Sequence, residues 1–426
     1  MANMGRTIKK TLGLMLATVT LLSVTACSSS FGSQVKLNVL APEKFVKKGG
    51  WILTMEDAFR KEHPEVSFTN TPIKQFDEPY SPATDKDKYP KVSADVFMFK
   101  SDTIPYLHKA GILGKFSKET EKQIEKQNPT PLSNSVFYNQ AYYGVPYTSN
   151  AWFMYYDKSK LSENDVKSLN TMLQKQKVAL NLRSTDLFES LYLDSCMIFG
   201  VSKAGLDSRD GVNFNEKCYP ITKYLTNLVN EPNFINAVGD TGIESLRNGS
   251  AAAYFSGIWE ADEVKKILGK NFAAAPLPKV RADQGYDTEE YDSTANFEYQ
   301  MKQNVDSQAI GYNAKSKYRD LAEKFAAFLG STESQKKAYE LQKIVPSDKT
   351  LKSFVANDPA ASTQMQSVEK TSIDQPFSYR EYNTTSYYLS TLNRHISEKT
   401  LNDGSTIFDD IDYAQEYINK YLRKTK

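Results

Sequence analysis

KLNVLAPEKFVKKGGWILTMEDAFRKEHPEVSFTNT, residues 36–71, reads as strand, loop, helix, strand. Lys36 to Leu40 carries apolar residues alternately, the period of a strand with one covered face. Pro42, Glu43, Lys44, Gly49 and Gly50 break that run into a loop. Trp51, Met55, Ala58 and Phe59 then recur at helical spacing, and Pro64 closes the helix. Val66 to Thr71 alternates again. A strand–helix–strand unit of this kind predicts a parallel sheet and the α/β class.

The same grammar continues downstream. Residues 74–93 are polar and proline-rich and read as a long loop. Ala94-Asp95-Val96-Phe97-Met98-Phe99 is almost wholly apolar, as a strand covered on both faces must be. Ser101 and Asp102 can cap the helix carrying Ile104, Leu107 and Ile112, which Gly111 and Gly114 end. Tyr142 to Tyr147 and Ala151 to Tyr156 read as strands, and the polar link Thr148-Ser149-Asn150 between them is a candidate interdomain hinge. Leu187 to Phe199 reads as a helix and Ala251 to Phe255 as a short buried strand ending at Gly257-Ile258-Trp259. Phe272 to Leu277, before Pro278, is a second candidate crossing. Leu321, Phe325, Phe328 and Leu329 mark an amphipathic helix ended by Gly330, and Thr332 with Gln335 spells a capping box for the next. Ile407 to Leu422 is again helical in period.

The first residues address the compartment. Arg6, Lys9 and Lys10 precede the uncharged stretch Thr11 to Ala26, the layout of a secretory signal peptide and too short for a permanent span of ~20 residues. Val24-Thr25-Ala26-Cys27 resembles a lipobox, in which the cysteine is acylated and the chain cut just before it. The expected mature chain, Cys27 to Lys426, has 400 residues and suits two domains after a Ser/Gly tether at 28–34. With 53 basic against 51 acidic residues there is no basic field for nucleic acid. The 26 Tyr and 22 Phe suit recognition of hydroxylated ligands, although core packing must account for most of them. Cys196 and Cys218 could pair in a disulfide outside the cytoplasm or stand as separate thiols. His63, His108 and His395 lie far apart, and no HExxH or CxxC accompanies them, so neither a metal nor another cofactor is expected.

Four segments carry a family resemblance: Ala94 to Phe99 with Lys109-Ala110-Gly111-Ile112-Leu113; Tyr143-Gly144-Val145-Pro146-Tyr147 with Tyr155-Tyr156-Asp157-Lys158; Arg247 to Tyr254 running into Gly257-Ile258-Trp259; and Ile310-Gly311-Tyr312-Asn313 leading to Ala322 to Leu329. In order and spacing they resemble the family 1 extracellular solute-binding proteins, the group containing maltose-binding protein. The resemblance implies a class II periplasmic-binding-protein-like fold: two hinged α/β lobes closing on a ligand in the cleft between them. It implies the boundaries 1–26 signal peptide, 27–34 tether, 35–148 first lobe, 149–277 second lobe, 278–346 return to the first lobe and 347–426 C-terminal helical part of the second. By similarity Glu43 and Lys44 match an acid–lysine pair on sugar hydroxyls, Asp102 a sugar-binding aspartate, Phe99 an aromatic, Trp259 a stacking tryptophan, and Tyr387 and Tyr388 an aromatic pair. Tyr147 and Asn150 fall at the expected cleft, Asn150 in place of a family glutamate. Thr103 stands where the family has a sugar-contacting arginine, Arg183 to Asp186 do not clearly reproduce its second acid–aromatic element, and 280–305 is an expansion, so the sugar itself is not implied. The implied function is non-catalytic: a monomeric lipoprotein held to the membrane through Cys27, binding an oligosaccharide and delivering it to an ABC permease. The rival readings are a non-sugar ligand on the same fold, a surface glycoside hydrolase and a structural adhesin.

Overall fold

Strand β1 (Val35–Pro42) and strand β2 (Val66–Ile73) pair in parallel, Val35 opposite Val66 and Pro42 opposite Ile73. Between them helix α1 (Trp51–Glu62) buries Trp51, Ile52, Met55 and Phe59, the face that the helical spacing marks as apolar. Strand β3 (Val96–Lys100) joins the other edge of β1, with Val96, Phe97, Met98 and Phe99 all buried. Helix α2 (Ile104–Lys109) follows, and strand β4 (Val145–Ser149) completes the first pass. This computed structural model describes residues 34–74, 92–194, 201–202, 205–206, 219–282 and 297–374, with 394 and 396.

From β4 the chain passes through Asn150 and Ala151 into a second sheet. That sheet is built from β5 (Trp152–Asp157), β6 (Val178–Leu180), helix α3 (Thr185–Glu189) on the following turn, β7 (Phe234–Asn236), β8 (Ala253–Gly257) and β9 (Phe272–Ala275), in the order β7-β6-β8-β5-β9. A hairpin of β10 (Lys279–Arg281) and β11 (Glu298–Gln300) and the short strand β12 (Gln303–Val305) come next. Strand β13 (Ser307–Tyr312) then returns to the first sheet and inserts antiparallel between β3 and β4, giving the order β2-β1-β3-β13-β4. Helices α4 (Arg319–Leu329) and α5 (Thr332–Gln342) cover that sheet, and α6 (Pro359–Lys370) packs on the second before β14 (Ser372–Asp374) pairs in parallel with β12.

Each sheet has its own core. The first gathers Leu37, Val39, Trp51, Phe59, Phe97, Phe99, Phe325 and Leu329. The second is covered on both faces, by Met154, Leu180, Phe188 and Phe255 on one side and Phe153, Tyr155, Leu246 and Val264 on the other. The protein is therefore a two-lobe α/β fold.

Several boundaries differ from the expectation, for physical reasons. Thr148 and Ser149 belong to β4, because Thr148 pairs with Gln308 and Ser149 with Ser307; the link shrinks to Asn150 and Ala151. The return to the first lobe does not occur at Pro278: Leu277, Val280, Ala282 and Met301 are buried in the second core, and the chain crosses at Asp306. Residues after 346 stay with the first lobe longer than expected, since Ser347 N donates to Tyr147 O at 3.1 Å and Asp348 N to Gln335 Oε1 at 3.0 Å. Helix α3 stops at Glu189, where the Ser190 hydroxyl takes the Leu187 carbonyl at 2.6 Å, a side-chain bond that competes with helix extension. The cap of α5 is Ser331, whose oxygen accepts from Ser334 N at 3.3 Å, rather than the Thr332–Gln335 box; Gln335 instead donates to Gly330 O at 2.9 Å. The signal segment, Cys27, Cys196, Cys218, Tyr387, Tyr388, His395 and the 407–422 stretch lie outside the described residues.

Candidate functional site

Strand direction fixes where a site can lie. In the first sheet β1, β2, β3 and β4 run the same way and β13 runs against them. In the second, β6, β7 and β8 run together and β5 runs against β8. The chain leaves β4 at its carboxyl end and enters β5 beside the carboxyl end of β8, Trp152 opposite Gly257. It comes back through Asp306 into the start of β13, Ser307 opposite Ser149. These two crossings therefore join the carboxyl ends of the two sheets, the position where open α/β sheets place ligands, and the chain passes between the lobes a third time from Asp348 to α6.

On the second lobe that end is an aromatic corner. Trp259, in the turn after β8, is 53% exposed, which is unusual for so large an apolar side chain. Its ring meets Trp152 edge to face, centroids 4.9 Å apart at 87°. Gly257 makes this possible: a Cβ there would lie 2.2 Å from Trp259 Cζ3. The Trp152 indole N–H donates to Asp186 Oδ2 at 3.3 Å, from helix α3. The Trp152 main chain is bracketed by Gln303, which is buried; Gln303 Oε1 accepts from Trp152 N at 2.6 Å and its Nε2 donates to Trp152 O at 2.8 Å. Glu260 adjoins the corner, its carboxyl raised by partial burial and by Asp240 and Glu263. The surface offers flat rings beside carboxylates, the groups that cover the C–H face of a sugar and accept from its hydroxyls.

On the first lobe the expected residues divide. Glu43 and Lys44 are exposed in the one-turn α-helix Glu43–Val46 that replaces part of the expected loop after β1, with Lys44 Nζ 5.1 Å from the Phe45 ring centroid and its carbonyl held by Gln342 Nε2 at 2.6 Å. Asp102 is half-buried in the 3-10 turn Ser101–Thr103 at the carboxyl end of β3, and neither that turn nor α2 has a side-chain cap. Asn150 is exposed on the first crossing. Phe99 and Tyr147 correct the expectation. Phe99 is fully buried, its ring 5.6 Å from Phe97, because β3 is covered on both faces. Tyr147 is 1% exposed, wedged 5.1 Å from Trp51 and 6.4 Å from Phe45, with its hydroxyl donating to Gln308 Oε1 at 2.9 Å. Both rings are core rings and cannot stack on a ligand in this arrangement. Sequence reasoning missed Trp152 and Gln303; a tryptophan opening a strand directly after the link was the available signal.

Among the described residues no three His, Cys, Asp or Glu side chains cluster to hold a metal, and no helix is long and apolar enough to cross a membrane.

The fold and its corner define a two-lobe ligand-binding protein. The family of bacterial extracellular solute-binding proteins matches residues 54–363, and the chain belongs to it. It is 25% identical over 376 residues to a galactooligosaccharide-binding protein of Bacillus subtilis (strain 168), 83% of each chain being covered. A structure solved with acarbose is 31% identical, with a TM-score of 0.70 over 92% of this chain and 99% of that one. A cyclo/maltodextrin-binding protein complexed with maltotetraose shares the fold at 15% identity, with a TM-score of 0.75 over 93% of this chain and 100% of that one. The family is one of solute-binding proteins, not of enzymes, and the galactooligosaccharide-binding and cyclo/maltodextrin-binding relatives are binding proteins by name.

Proposed function

We propose that the chain is the lipid-anchored receptor of an ABC importer, capturing an oligosaccharide between its lobes and handing it to a membrane permease. One observation carries the reading: an exposed Trp259 set edge-on to Trp152, beside Asp186 and Glu260, at the point where the first two crossings meet. Relatives that bind galactooligosaccharide and maltotetraose, and one solved with acarbose, support an oligosaccharide and leave its linkage open. Glu43, Lys44, Asp102 and Asn150 supply the polar half of the site from the first lobe and the first crossing. Tyr387 and Tyr388 remain candidates to extend its aromatic half. Ligand touching both lobes favours the closed form by the contacts that only that form makes. Capture followed by release calls for micromolar affinity, about −8 kcal/mol. The anchor is Cys27, its thiol acylated and the chain cut just before it to remove residues 1–26, and the working form is a monomer.

Titration calorimetry with maltotetraose, galactooligosaccharides and acarbose tests the ligand class. Binding of one of them at micromolar Kd is expected, and Trp259→Ala should weaken it by about 2 kcal/mol, roughly thirtyfold. No heat from any of the three, or full affinity in the variant, would overturn the reading. Cys27→Ser tests the anchor: the variant should leave the membrane fraction and lose incorporated palmitate.

A further inference from the structure

Helix α3 presents Asp186 to Trp152 on one side and Glu189 to the interior on the other. Glu189 is 1% exposed and its Oε2 accepts from Asn304 Nδ2 at 3.2 Å. Its Oε1 is buried with no hydrogen-bond donor, and so is Asn304 Oδ1. Asn304 follows Gln303, the residue that brackets Trp152, on β12. A carboxylate leaves two buried acceptors facing no donor; a carboxylic acid supplies the missing hydrogen. The same arrangement recurs in the first lobe, where Asn70 Nδ2 donates to Glu56 Oε2 at 3.4 Å and both Glu56 Oε1 and Asn70 Oδ1 lack partners.

We propose that Glu189 is a neutral carboxylic acid in the folded protein, its acid proton offered to Asn304 Oδ1, and that this acid–amide pair is the positioning element on which the tryptophan corner is built. The charges around it agree. On its own helix Asp186 is negative and disfavours a second negative charge. Next to Asn304 on the β12 side are Lys302, committed to Asp194 at 2.7 Å, and Asp306. On β14 is Asp374, which accepts from Asn134 at 2.7 Å. Among the described residues no Lys, Arg or His forms an ion pair with Glu189, and burial holds its carboxyl well above the usual range. Ionisation would remove the proposed donor to Asn304 Oδ1 and leave two oxygens opposed, loosening Asn304 and, beside it on β12, the Gln303 that brackets Trp152.

The test compares Glu56→Gln, which removes the first-lobe acid, with Glu56→Gln/Glu189→Gln. Infrared spectra at pH 7 should contain a protonated-carboxyl C=O band in the single variant that the double variant lacks. In urea unfolding across pH 6 to 9 the unfolding constant of the single variant should rise relative to the double variant by up to about tenfold per pH unit, the slope of one linked proton. A shared spectrum or a pH-independent ratio overturns the proposal. If the double variant does not fold, the single variant decides alone: no such band at pH 7 overturns it. The binding arm rests on the sugar reading above. With maltotetraose, the affinity of the single variant should fall as Glu189 titrates while the double variant stays flat, and a parallel fall in both overturns the positioning role. Silence from both proteins at every pH counts against the sugar reading instead, and leaves the infrared and unfolding results to decide Glu189.

Discussion

Glu56 and Trp259 sit at opposite extremes of exposure, and each behaves as its surroundings dictate. Burial pushes the Glu56 carboxyl from 4.5 up to about 7, opposed by the Asn70 bond and by Arg60. The folded protein therefore binds a proton that the unfolded chain releases between those two values. Stability from this group is full below about pH 4.5 and is lost as pH rises to about 7, a total of roughly 3 kcal/mol. Glu56→Gln should flatten that part of the pH–stability curve, read by urea unfolding at pH 5 and pH 8; an unchanged slope would show that Glu56 titrates normally. Trp259 is the reverse case, an apolar ring left in water at an energetic cost that the proposed ligand would recover. Trp51 resembles it in sequence only: the indole of Trp51 is fully buried and donates to Ser334 Oγ at 2.9 Å, so its role is packing.

Among the elements, the junction between α4 and α5 shows how tightly the first lobe is closed. Gly330 has an ordinary helical φ of −82°, so conformational freedom is not the reason for glycine. Space is: a Cβ at Gly330 would stand 2.2 Å from Val145 Cγ1 on β4. Gly330→Ala should destabilise the protein by about 1–3 kcal/mol through overpacking, outweighing the smaller entropy gain of alanine. One residue on, Ser331→Ala removes the α5 cap and should cost about 1 kcal/mol. Urea midpoints of the two variants separate the effects, and a Gly330→Ala protein as stable as wild type would mean that α4 can shift off β4. Helix α6 binds the crossings from behind, with Gln364 Nε2 donating to Ser149 O at 2.5 Å and Val368 packed with Leu132, Ala151 and Val305.

For the whole molecule, the proposed capture of ligand implies rotation of the lobes about the passages that join them, Asn150-Ala151, Asp306 and the stretch from Asp348 to α6. Adding a bound oligosaccharide should lower the radius of gyration in solution scattering, and Trp259→Ala should not show the change at the same sugar concentration. A saturated protein whose scattering curve matches the free protein would exclude closure.

Alternation at 36–40 and 66–71, helical spacing from Trp51 to Phe59 and the apolar run at 94–99 were enough to predict a parallel α/β fold, because burial periodicity is written into local sequence. The placement of Trp259 was legible for a similar reason: it follows a small-residue strand, and it stands exposed in the turn after β8. Which aromatics face solvent was not legible. Phe99 and Tyr147 carry the same side-chain chemistry as a cleft residue, and only the layers above and below β3 and β4 bury them. The same holds for Trp152, whose orientation depends on Gln303, 151 residues away, and for the return crossing at Asp306, set by the second core retaining Val280 and Met301. Local pattern fixes which faces are apolar; contacts between residues distant in the chain fix which of those faces are covered.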